Sequence, residues 1–307
     1  MLPDIENTNN ASSSLQNTGA VIVTYYPVIE SLYLLIESIS KTCSYCVVID
    51  NTPVENNNEL LQLENRFSNL KVICLQGNAG VAKAQNIGIS YLYNRCSFFI
   101  FFDQDSVPSK GMIEHLYTQF NELVIKGYRP GAIGPQIINK ASGTPYVARI
   151  KKGTYLPGET KLKEMPQLMS SGTFLSRESW QTIGLLEEQL FIDGVDMEWC
   201  WRGRKKNGLR FFVSEEVFLY HSIGEDKKLL GLFRIKAPTA ERCYYLYRNY
   251  LYLIRRSYVP FYWKFSSGIK YILKLLLFPL LLHPRKKYLF NILRGIRAGC
   301  STAIDIK

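Results

Sequence analysis

The chain has 307 residues, which is room for one α/β domain of about 200 residues and a smaller appendage. A hydrophobic content of 47% excludes global disorder, and seven scattered cysteines, an odd number, favour reduced thiols in the cytoplasm over a disulfide framework. The net charge of +11 is concentrated in residues 204–307, where 21 Lys and Arg face 6 Asp and Glu, whereas residues 1–203 are acidic on balance. Residues 1–18 are polar without an apolar run, so we expect a frayed tail and neither a signal peptide nor a membrane span.

Strands and helices alternate along the first third of the chain. Apolar runs predict the strands, and apolar residues spaced three or four apart predict the helices between them. In chain order the predicted elements are strand 20–26, helix 31–39, strand 46–49, helix 59–67, strand 71–75, helix 81–94 and strand 98–102. This alternation is typical of parallel βαβ units, so it predicts an α/β fold with a doubly wound, mostly parallel sheet.

Two carboxylates follow the most apolar of these strands, the five-residue run from Phe98 to Phe102. Asp103 and Asp105 should therefore lie at the C-terminal end of a buried strand, where open α/β sheets bind their ligands. An Asp-x-Asp pair is common in solvated turns and helix caps, but a hydrophobic core has no need of two carboxylates at this position. Hard oxygen ligands one residue apart suit Mg²⁺ or Mn²⁺ held against a diphosphate.

A set of short motifs surrounds this pair in a fixed order. They are Val21-Ile-Val-Thr-Tyr25, Val48-Ile-Asp-Asn51, Asn78-Ala-Gly80, Ala84-Gln-Asn-Ile-Gly88, Asp103-Gln-Asp-Ser106, Ser170-Ser-Gly-Thr173 and Phe191-Ile-Asp-Gly-Val-Asp-Met-Glu-Trp-Cys-Trp-Arg202. Over roughly residues 19–225 the chain thereby resembles the inverting glycosyltransferases of family 2, which have the nucleotide-sugar (GT-A) fold. Within that family it looks most like the bacterial rhamnosyltransferases of surface-polysaccharide assembly, such as O-antigen and capsule.

The resemblance implies a role for each matching residue. Asp196 is the expected catalytic base, although Val195 stands where the family usually has Glu, and Asp193 and Glu198 are the alternatives. The expected metal ligands are Asp103, Asp105 and His221, the last of which is equally well explained as a core histidine. The donor nucleotide is expected to contact residues that follow the strands: Thr24, Tyr25, Asp50, Asn51, Asn78, Gly80, Asp103, Gln104 and Gly172.

Two of these residues also have simpler interpretations. Asp50 and Asn51 suit a turn before Pro53, whereas the resemblance gives Asp50 a hydrogen bond to the pyrimidine base. A ribose-binding acid of a dehydrogenase is excluded, because the first strand is followed by Thr24-Tyr-Tyr-Pro27 and no glycine-rich turn. Arg202 is expected to pair with a diphosphate or with Glu198.

The basic C-terminal part is also aromatic, with residues 244–256 as its densest stretch. We expect helices there and favour contact with an anionic membrane surface over an amphipathic helical pair that covers the sheet. Nucleic acid is the least favoured partner, because no nucleic-acid motif accompanies the basic residues. The apolar run 275–282 is too short to span a bilayer.

These patterns predict a tail (1–18), a GT-A domain (19–225) and a C-terminal helical, membrane-associating region (226–307). The expected activity is metal-dependent, inverting transfer of L-rhamnose from dTDP-L-rhamnose to a lipid-linked glycan in the cytoplasm, at the inner face of a bacterial cell membrane. The alternatives are a family 2 transferase with a UDP-hexose donor and a non-catalytic module that binds a sugar nucleotide or glycan. Intact Asp103, Asp105 and Asp196 favour an enzyme, because a binding module does not need a base.

Overall fold

A single mixed sheet of ten strands organises the molecule. This computed structural model describes residues 17–53, 57–146, 153–222, 226–229, 233–236 and 238–301. Most of the predicted tail 1–18 lies outside these residues, and Thr18 is already the first residue of a strand. Along the sheet the strand order is β3-β2-β1-β4-β9-β6-β10-β8-β7, and β5 pairs with β10.

The first half of the sheet is a parallel βαβ arrangement, as predicted. Its strands are β1 (Thr18–Thr24), β2 (Tyr45–Asp50), β3 (Leu70–Cys74) and β4 (Phe98–Asp103), and each neighbouring pair is parallel. The connecting helices are α1 (Ile29–Ile39), α2 (Asn58–Leu61) and α3 (Val81–Leu92).

Two predicted boundaries in this half are wrong. The first strand ends at Thr24 and does not reach Tyr26, because Tyr26 has a φ of 47° and its amide donates to Thr52 Oγ1 at 2.8 Å. The predicted helix 59–67 is only four residues of α-helix, and it continues as the 3₁₀ turn Gln62–Asn65.

The second half of the sheet is mixed, yet its long strands keep the direction of the first half. Its strands are β5 (Val107–Pro108), β6 (Pro130–Asn139), β7 (Thr154–Tyr155), β8 (Leu162–Met165), β9 (Phe174–Ser176) and β10 (Arg210–His221). The short strand β9 is antiparallel to both β4 and β6, so β6 and its parallel partner β10 point the same way as β4. The helices here are α4 (Met112–Ile125), α5 (Arg177–Ile183) and α6 (Val195–Asn207).

The strands β1, β2 and β4 are buried on both faces, which explains why they are largely continuous apolar runs. In β4, Ile100 and Phe102 join the core under α1 and α4, while Phe99 and Phe101 join the core under α3, α5 and α6. Adjacent residues of a strand point to opposite faces, so one strand contributes to both cores.

The C-terminal part begins with a hairpin of β11 (Asp226–Leu229) and β12 (Phe233–Lys236) and continues as three helices. These are α7 (Ala240–Ile254), α8 (Phe261–Leu281) and α9 (Arg285–Ser301). Trp263 packs edge-on against Trp201 with ring centroids 5.0 Å apart. The C-terminal helices therefore share a core with α6, and the domain boundary at residue 225 stays a prediction.

Helix α8 leaves one apolar face uncovered among the described residues. Its exposed large side chains recur at helical spacing, and they are Phe261, Phe265, Ile269, Ile272, Leu273, Leu276, Leu277 and Leu280. Within the described ranges, none of the helices combines the length and the apolar content that a bilayer crossing requires.

Candidate functional site

The carboxyl ends of β1 and β2 carry a closed network of polar side chains. Asp50 Oδ1 accepts hydrogen bonds from Thr24 Oγ1 at 2.8 Å and from Thr52 Oγ1 at 2.7 Å. Asn51 Oδ1 accepts from the Ala79 amide at 3.0 Å. Asp50 is only 1% exposed. Thr24, Asp50 and Asn51, which are predicted to contact the donor nucleotide, therefore first of all hold together the strand ends and the loop before α3.

Tyr25 and Gln104 join the ends of β1 and β4. Gln104 Oε1 accepts from the Tyr25 amide at 2.7 Å, and Gln104 Nε2 donates to the Tyr25 carbonyl at 3.2 Å. The Tyr25 ring itself is 46% exposed. The side-chain amide in the Asp-Gln-Asp motif thus holds the loop that presents the Tyr25 ring to solvent.

Gly80 lies where two distant loops touch. It has a φ of 85°, its amide donates to Asn78 Oδ1 at 3.1 Å, and a Cβ there would lie 2.6 Å from the Phe191 carbonyl oxygen. The same Phe191 carbonyl accepts from the Val81 amide at 2.8 Å. Only glycine fits this contact, which joins the start of α3 to the loop before α6.

The end of β4 meets the end of β10. His221 Nε2 lies 3.6 Å from Asp103 Oδ2, and His221 Nδ1 lies 3.2 Å from Asp105 Oδ1. Since β4 and β10 point the same way, both strands deliver these side chains to one edge of the sheet. The structure therefore brings together the three predicted metal ligands.

The charges of Asp103, Asp105 and His221 shift the pKa values of one another. Burial raises the pKa of Asp103, against the charge of His221. Burial also acts to raise the pKa of Asp105, but His221 and Lys140 outweigh it and the pKa is lowered. For His221, burial acts to lower the pKa, and the two carboxylates raise it on balance.

The donor types suit a hard divalent cation. His221 Nδ1 is buried and has no hydrogen bond of acceptable geometry, although it faces the Asp105 carboxylate. As placed here, however, no three or more His, Cys, Asp or Glu side chains of the described residues are arranged to hold a metal ion. The chemistry of the three side chains therefore fits a divalent ion, and in this arrangement His221 lies between the two carboxylates.

A cavity of about 600 Å³ links this cluster to α6. Asp103, His221 and Asp196 all line it, as do Ser170 and Ser171. Ser171 Oγ accepts from the Asp103 amide at 3.1 Å, which ties the cavity wall to β4.

Several residues that are predicted to contact the donor nucleotide do not line this cavity, and they are Thr24, Tyr25, Asp50, Asn51, Asn78, Gly80, Gln104 and Gly172. Gly172 is buried behind the wall, where its amide donates to the Phe101 carbonyl at 2.7 Å. The other residues lie at the ends of β1, β2 and β4 and in the loop before α3. The predicted site therefore has two parts, which are this cavity and the neighbouring strand-end surface.

Asp196 is half-buried in the first turn of α6. Its Oδ1 accepts from the Met197 amide at 2.8 Å, which fixes the plane of the carboxylate. Burial raises the pKa of Asp196 to about 6, and the nearby charge of Asp193 acts in the same direction. A carboxylate with a pKa raised towards neutrality is suited to accept a proton.

The two alternative carboxylates are both paired. Asp193 binds Arg242 through contacts of 2.6–3.1 Å. Glu198 is 1% exposed and accepts from Arg202 Nε at 2.8 Å and from the Tyr258 hydroxyl at 2.6 Å. Arg202 thus pairs with Glu198, which answers the question the sequence left open. Of the three carboxylates, Asp196 alone has no basic partner within the described part of the chain.

Sequence reasoning missed Arg242 of α7, which lines the cavity and pairs with Asp193. It lies in a stretch whose basic and aromatic residues suggested a membrane surface. Its signal was weak, because a single arginine in the first turn of a helix has many explanations.

Comparison with known proteins gives a consistent result. The family model described as glycosyl transferase family 2 matches residues 20–168. The dTDP-rhamnosyl transferase RfbF of Shigella flexneri is 34% identical over 253 residues, which cover 80% of this chain and 82% of that protein. The low-salt glycan biosynthesis hexosyltransferase Agl10 of Haloferax volcanii is 26% identical over 215 residues, 66% of each chain.

Solved structures share the fold at low identity. GalNAc-T7 with UDP, GalNAc and Mn²⁺ superposes with a TM-score of 0.55 at 16% identity, over 67% of this chain and 43% of that one. S. aureus TarS superposes with a TM-score of 0.56 at 13% identity, over 92% of this chain and 49% of that one. Our chain spans less than half the length of these two proteins, and the likeness shows the GT-A fold alone.

We expect Glu198→Ala to destabilise the protein by about 3–5 kcal/mol, because it leaves the guanidinium of Arg202 without its buried counter-charge. Urea denaturation followed by circular dichroism measures the change. Glu241→Ala is the matched control, because Glu241 and its partner Lys287 are 57% and 55% exposed and such a pair contributes less than about 1 kcal/mol. Equal losses in the two variants would contradict a structural role for Glu198.

Proposed function

Because the chain belongs to glycosyl transferase family 2, and is thus a glycosyltransferase, we propose that it transfers L-rhamnose from dTDP-L-rhamnose to a lipid-linked glycan with inversion. The observation that carries this proposal is the shared cavity of Asp103, His221 and Asp196. A candidate base and two candidate metal ligands that line one cavity support such a transfer, and the three groups come from α6, β4 and β10.

The choice of donor is supported by the relative from Shigella flexneri, which is named a dTDP-rhamnosyl transferase. Three apolar side chains, those of Val81, Ile192 and Val195, belong to the cavity lining. A deoxy sugar presents a methyl group there where a hexose presents a hydroxymethyl group, so an apolar wall suits it. Trp199 of α6 does not contribute to this wall, because it is 3% exposed and donates to the Gly184 carbonyl at 2.9 Å.

The nucleotide is proposed to lie over the ends of β1 and β2. The bonds from Thr24 and Thr52 both go to Asp50 Oδ1, so the other carboxylate oxygen is the one that we assign to the pyrimidine base. Thymine and uracil share the N–H that such an oxygen would accept. The exposed ring of Tyr25 offers a flat apolar surface beside this position.

Asp103, Asp105 and His221 are proposed to hold Mg²⁺ or Mn²⁺. A divalent ion at this place would neutralise negative charge on the departing nucleotide diphosphate. The buried Nδ1 of His221 and the two converging carboxylates support this proposal, as does the Mn²⁺ in the GalNAc-T7 structure of the same fold.

Asp196 is proposed to accept the proton of the acceptor hydroxyl as the new glycosidic bond forms. Its position on α6 separates it from the candidate metal ligands, as a single displacement with inversion requires. Its pKa of about 6 leaves it ionised at neutral pH and still basic enough to take up a proton.

The acceptor sugar is proposed to occupy the part of the cavity away from β4. There the lining comes from β6, β8 and β10 and from the segment after β6, with Gln136, Tyr146, Lys163 and Glu215. Tyr146 is 46% exposed, and such a ring can stack on the apolar face of a pyranose. The polar neighbours can donate to and accept from sugar hydroxyls.

The uncovered face of α8 is proposed to lie on the membrane that holds the lipid-linked acceptor. Its exposed apolar side chains adjoin basic residues, and Lys270, Arg285 and Lys286 are exposed. The surplus of positive charge in residues 204–307 complements anionic lipid. Two further basic residues of this region are partly engaged, because Arg256 lies 3.4 Å from Glu187 and Lys287 pairs with Glu241.

The donor is tested by initial rates with dTDP-L-rhamnose, UDP-glucose, UDP-galactose and UDP-N-acetylglucosamine on the native acceptor. We expect dTDP-L-rhamnose to give the highest kcat/KM, with leakage to other donors, since an apolar pocket rejects an added hydroxyl only about 10²-fold. A higher kcat/KM with a UDP-hexose would contradict the donor assignment and leave the glycosyltransferase assignment intact.

The metal site is tested in the same assay. EDTA and Asp105→Asn should each remove most activity, and full turnover in excess EDTA would contradict the proposed metal dependence.

The base is tested by Asp196→Asn, which keeps the shape of the side chain and loses the proton acceptor. We expect the rate to fall on the order of 10²–10⁴-fold while the donor still binds. For the wild type, kcat/KM should fall below a pH of about 6 and be about tenfold lower at pH 5, because Asp196 is then protonated.

Thermal stability provides the control for folding. A folded-state pKa of about 6 lies above the unfolded value, so Asp196 contributes stability at low pH that is lost as the pH rises through about 6. The Asn variant should therefore be no less stable than the wild type at pH 7.5. A nearly normal Asp196→Asn together with an inactive Asp193→Asn would show that Asp193 is the base.

Membrane contact is tested by flotation with anionic and with zwitterionic liposomes at low salt. We expect flotation with anionic liposomes and its loss in the double variant Ile272→Glu, Leu276→Glu, because both side chains lie on the uncovered face. Ile125→Glu is the matched control, since Ile125 on α4 is 85% exposed and remote in sequence from α8. If the double variant instead turns a dimer into a monomer and flotation is absent, a second copy of the chain covers this face.

A further inference from the structure

The loop that enters α6 has an unusual backbone. Phe191 and Asp193 have φ values of 65° and 64°, and Gly194 follows with 90°. Positive φ is disfavoured for a bulky residue such as Phe, so other contacts must hold this conformation. The loop also forms part of the cavity wall, through Ile192, Asp193 and Gly194, and it ends two residues before Asp196.

One face of α7 covers this loop. Four of its residues, spaced three or four apart along the helix, each contact a different part of the loop: Arg242, Tyr245, Asn249 and Leu253. Arg242 Nη2 lies 2.6 Å from Asp193 Oδ1, and the Tyr245 ring stacks on Phe191 with centroids 4.5 Å apart and planes 10° apart. Leu253 packs against Gly194, and its Cδ1 lies 3.1 Å from the position that a Cβ on Gly194 would take.

Asn249 makes the central contact of this face. Its Nδ2 lies 2.8, 2.6 and 2.9 Å from the carbonyl oxygens of Leu190, Ile192 and Asp193. The side chain is 2% exposed, so these carbonyls have little access to water. Three carbonyls from a loop with two left-handed residues thus converge on one amide group.

Arg248 fixes the orientation of that amide. Its Nε and Nη2 donate to Asn249 Oδ1 at 3.0 and 2.9 Å, and Nη2 also donates to the Leu190 carbonyl at 3.0 Å. With Oδ1 bound to a guanidinium, Nδ2 must point towards the loop. A buried amide with a fixed orientation and several backbone acceptors is a specific device, because an unpaired carbonyl there would be costly.

We infer that Asn249, oriented by Arg248, is a positioning residue that sets the loop 190–194 and thereby the place of Asp196 in the cavity. This inference rests on the proposed role of Asp196 as the base. It makes α7 part of the reaction centre, in addition to any role of the C-terminal helices at a membrane. Asn249 itself is not among the residues that line the cavity.

The decisive variant is Asn249→Ser, with Asn291→Ser as its matched control. Asn291 is also a buried asparagine of the C-terminal helices, 7% exposed, and its Nδ2 donates within α9 to the Lys287 carbonyl at 3.0 Å. Both variants lose a buried amide, but only Asn249→Ser removes donors from the loop. Arg248→Lys is the second variant should Asn249→Ser fail to fold, because it keeps the charge and loses the fork.

Hydrogen exchange followed by mass spectrometry provides a readout that is independent of activity. The Phe191 and Ile192 amides donate to Glu188 and Leu190 carbonyls at 3.0 and 2.7 Å, so a loosened loop should exchange faster. We expect faster exchange over residues 188–196 in Asn249→Ser and unchanged exchange there in Asn291→Ser. Equal exchange in the two variants would overturn the inference.

Steady-state kinetics provides the second readout. We expect Asn249→Ser to lower kcat per folded molecule by about 10²-fold, because a small misplacement of a catalytic group has effects of that size. The donor KM should stay within about threefold, since the strand-end residues are untouched. Normal kcat in Asn249→Ser would overturn the inference, whereas a wild type inactive with every sugar nucleotide would refute the proposed function and leave the exchange result to decide.

Discussion

The shared direction of β1, β4, β6 and β10 is the constraint on which the rest of the molecule depends. Carboxyl ends of parallel strands meet at one edge, so Asp103 and His221 become neighbours although they lie far apart in the sequence. The three-residue strand β9 makes this possible. It is antiparallel to β4 and β6 and lets a second parallel pair continue the sheet in the same direction.

The site differs from its surroundings because it contains strained backbone and a carboxylate whose charge is disfavoured. In the core the chain follows its local preferences, with apolar runs in strands such as β4. At the site, Phe191 and Asp193 adopt left-handed backbone conformations that cost on the order of 1–3 kcal/mol each, and Asp196 is held where its charge is disfavoured. Packing and hydrogen bonds from α3 and α7 offset these costs, so the rigid parts of the fold support the strained part.

The sequence predicted those features that depend on local pattern. Apolar runs indicate buried strands, and a polar motif directly after such a run lies at the end of the strand. This reasoning predicted the positions of Asp103 and Asp105 at the end of β4. Features that depend on a distant partner were not predictable. The spacing of Glu198 four residues before Arg202 is visible in the sequence. The hydroxyl of Tyr258, which completes the buried pair, comes from a distant part of the chain and could not be predicted. Periodicity likewise indicates that a helix has an apolar face without indicating what covers it, so the pattern of residues 244–256 does not distinguish a membrane surface from the loop before α6.

The contact between Gly80 and Phe191 has a consequence for how such a protein can change. A side chain at position 80 would collide with the backbone of the loop before α6, because even a Cβ would lie 2.6 Å from the Phe191 carbonyl oxygen. Two segments, one at the proposed nucleotide site and the other before the proposed base, therefore cannot vary independently. A descendant that acquires a larger residue at position 80 must therefore also change the loop around position 191. Evolutionary changes at the proposed nucleotide site and at the proposed base are coupled through this one contact.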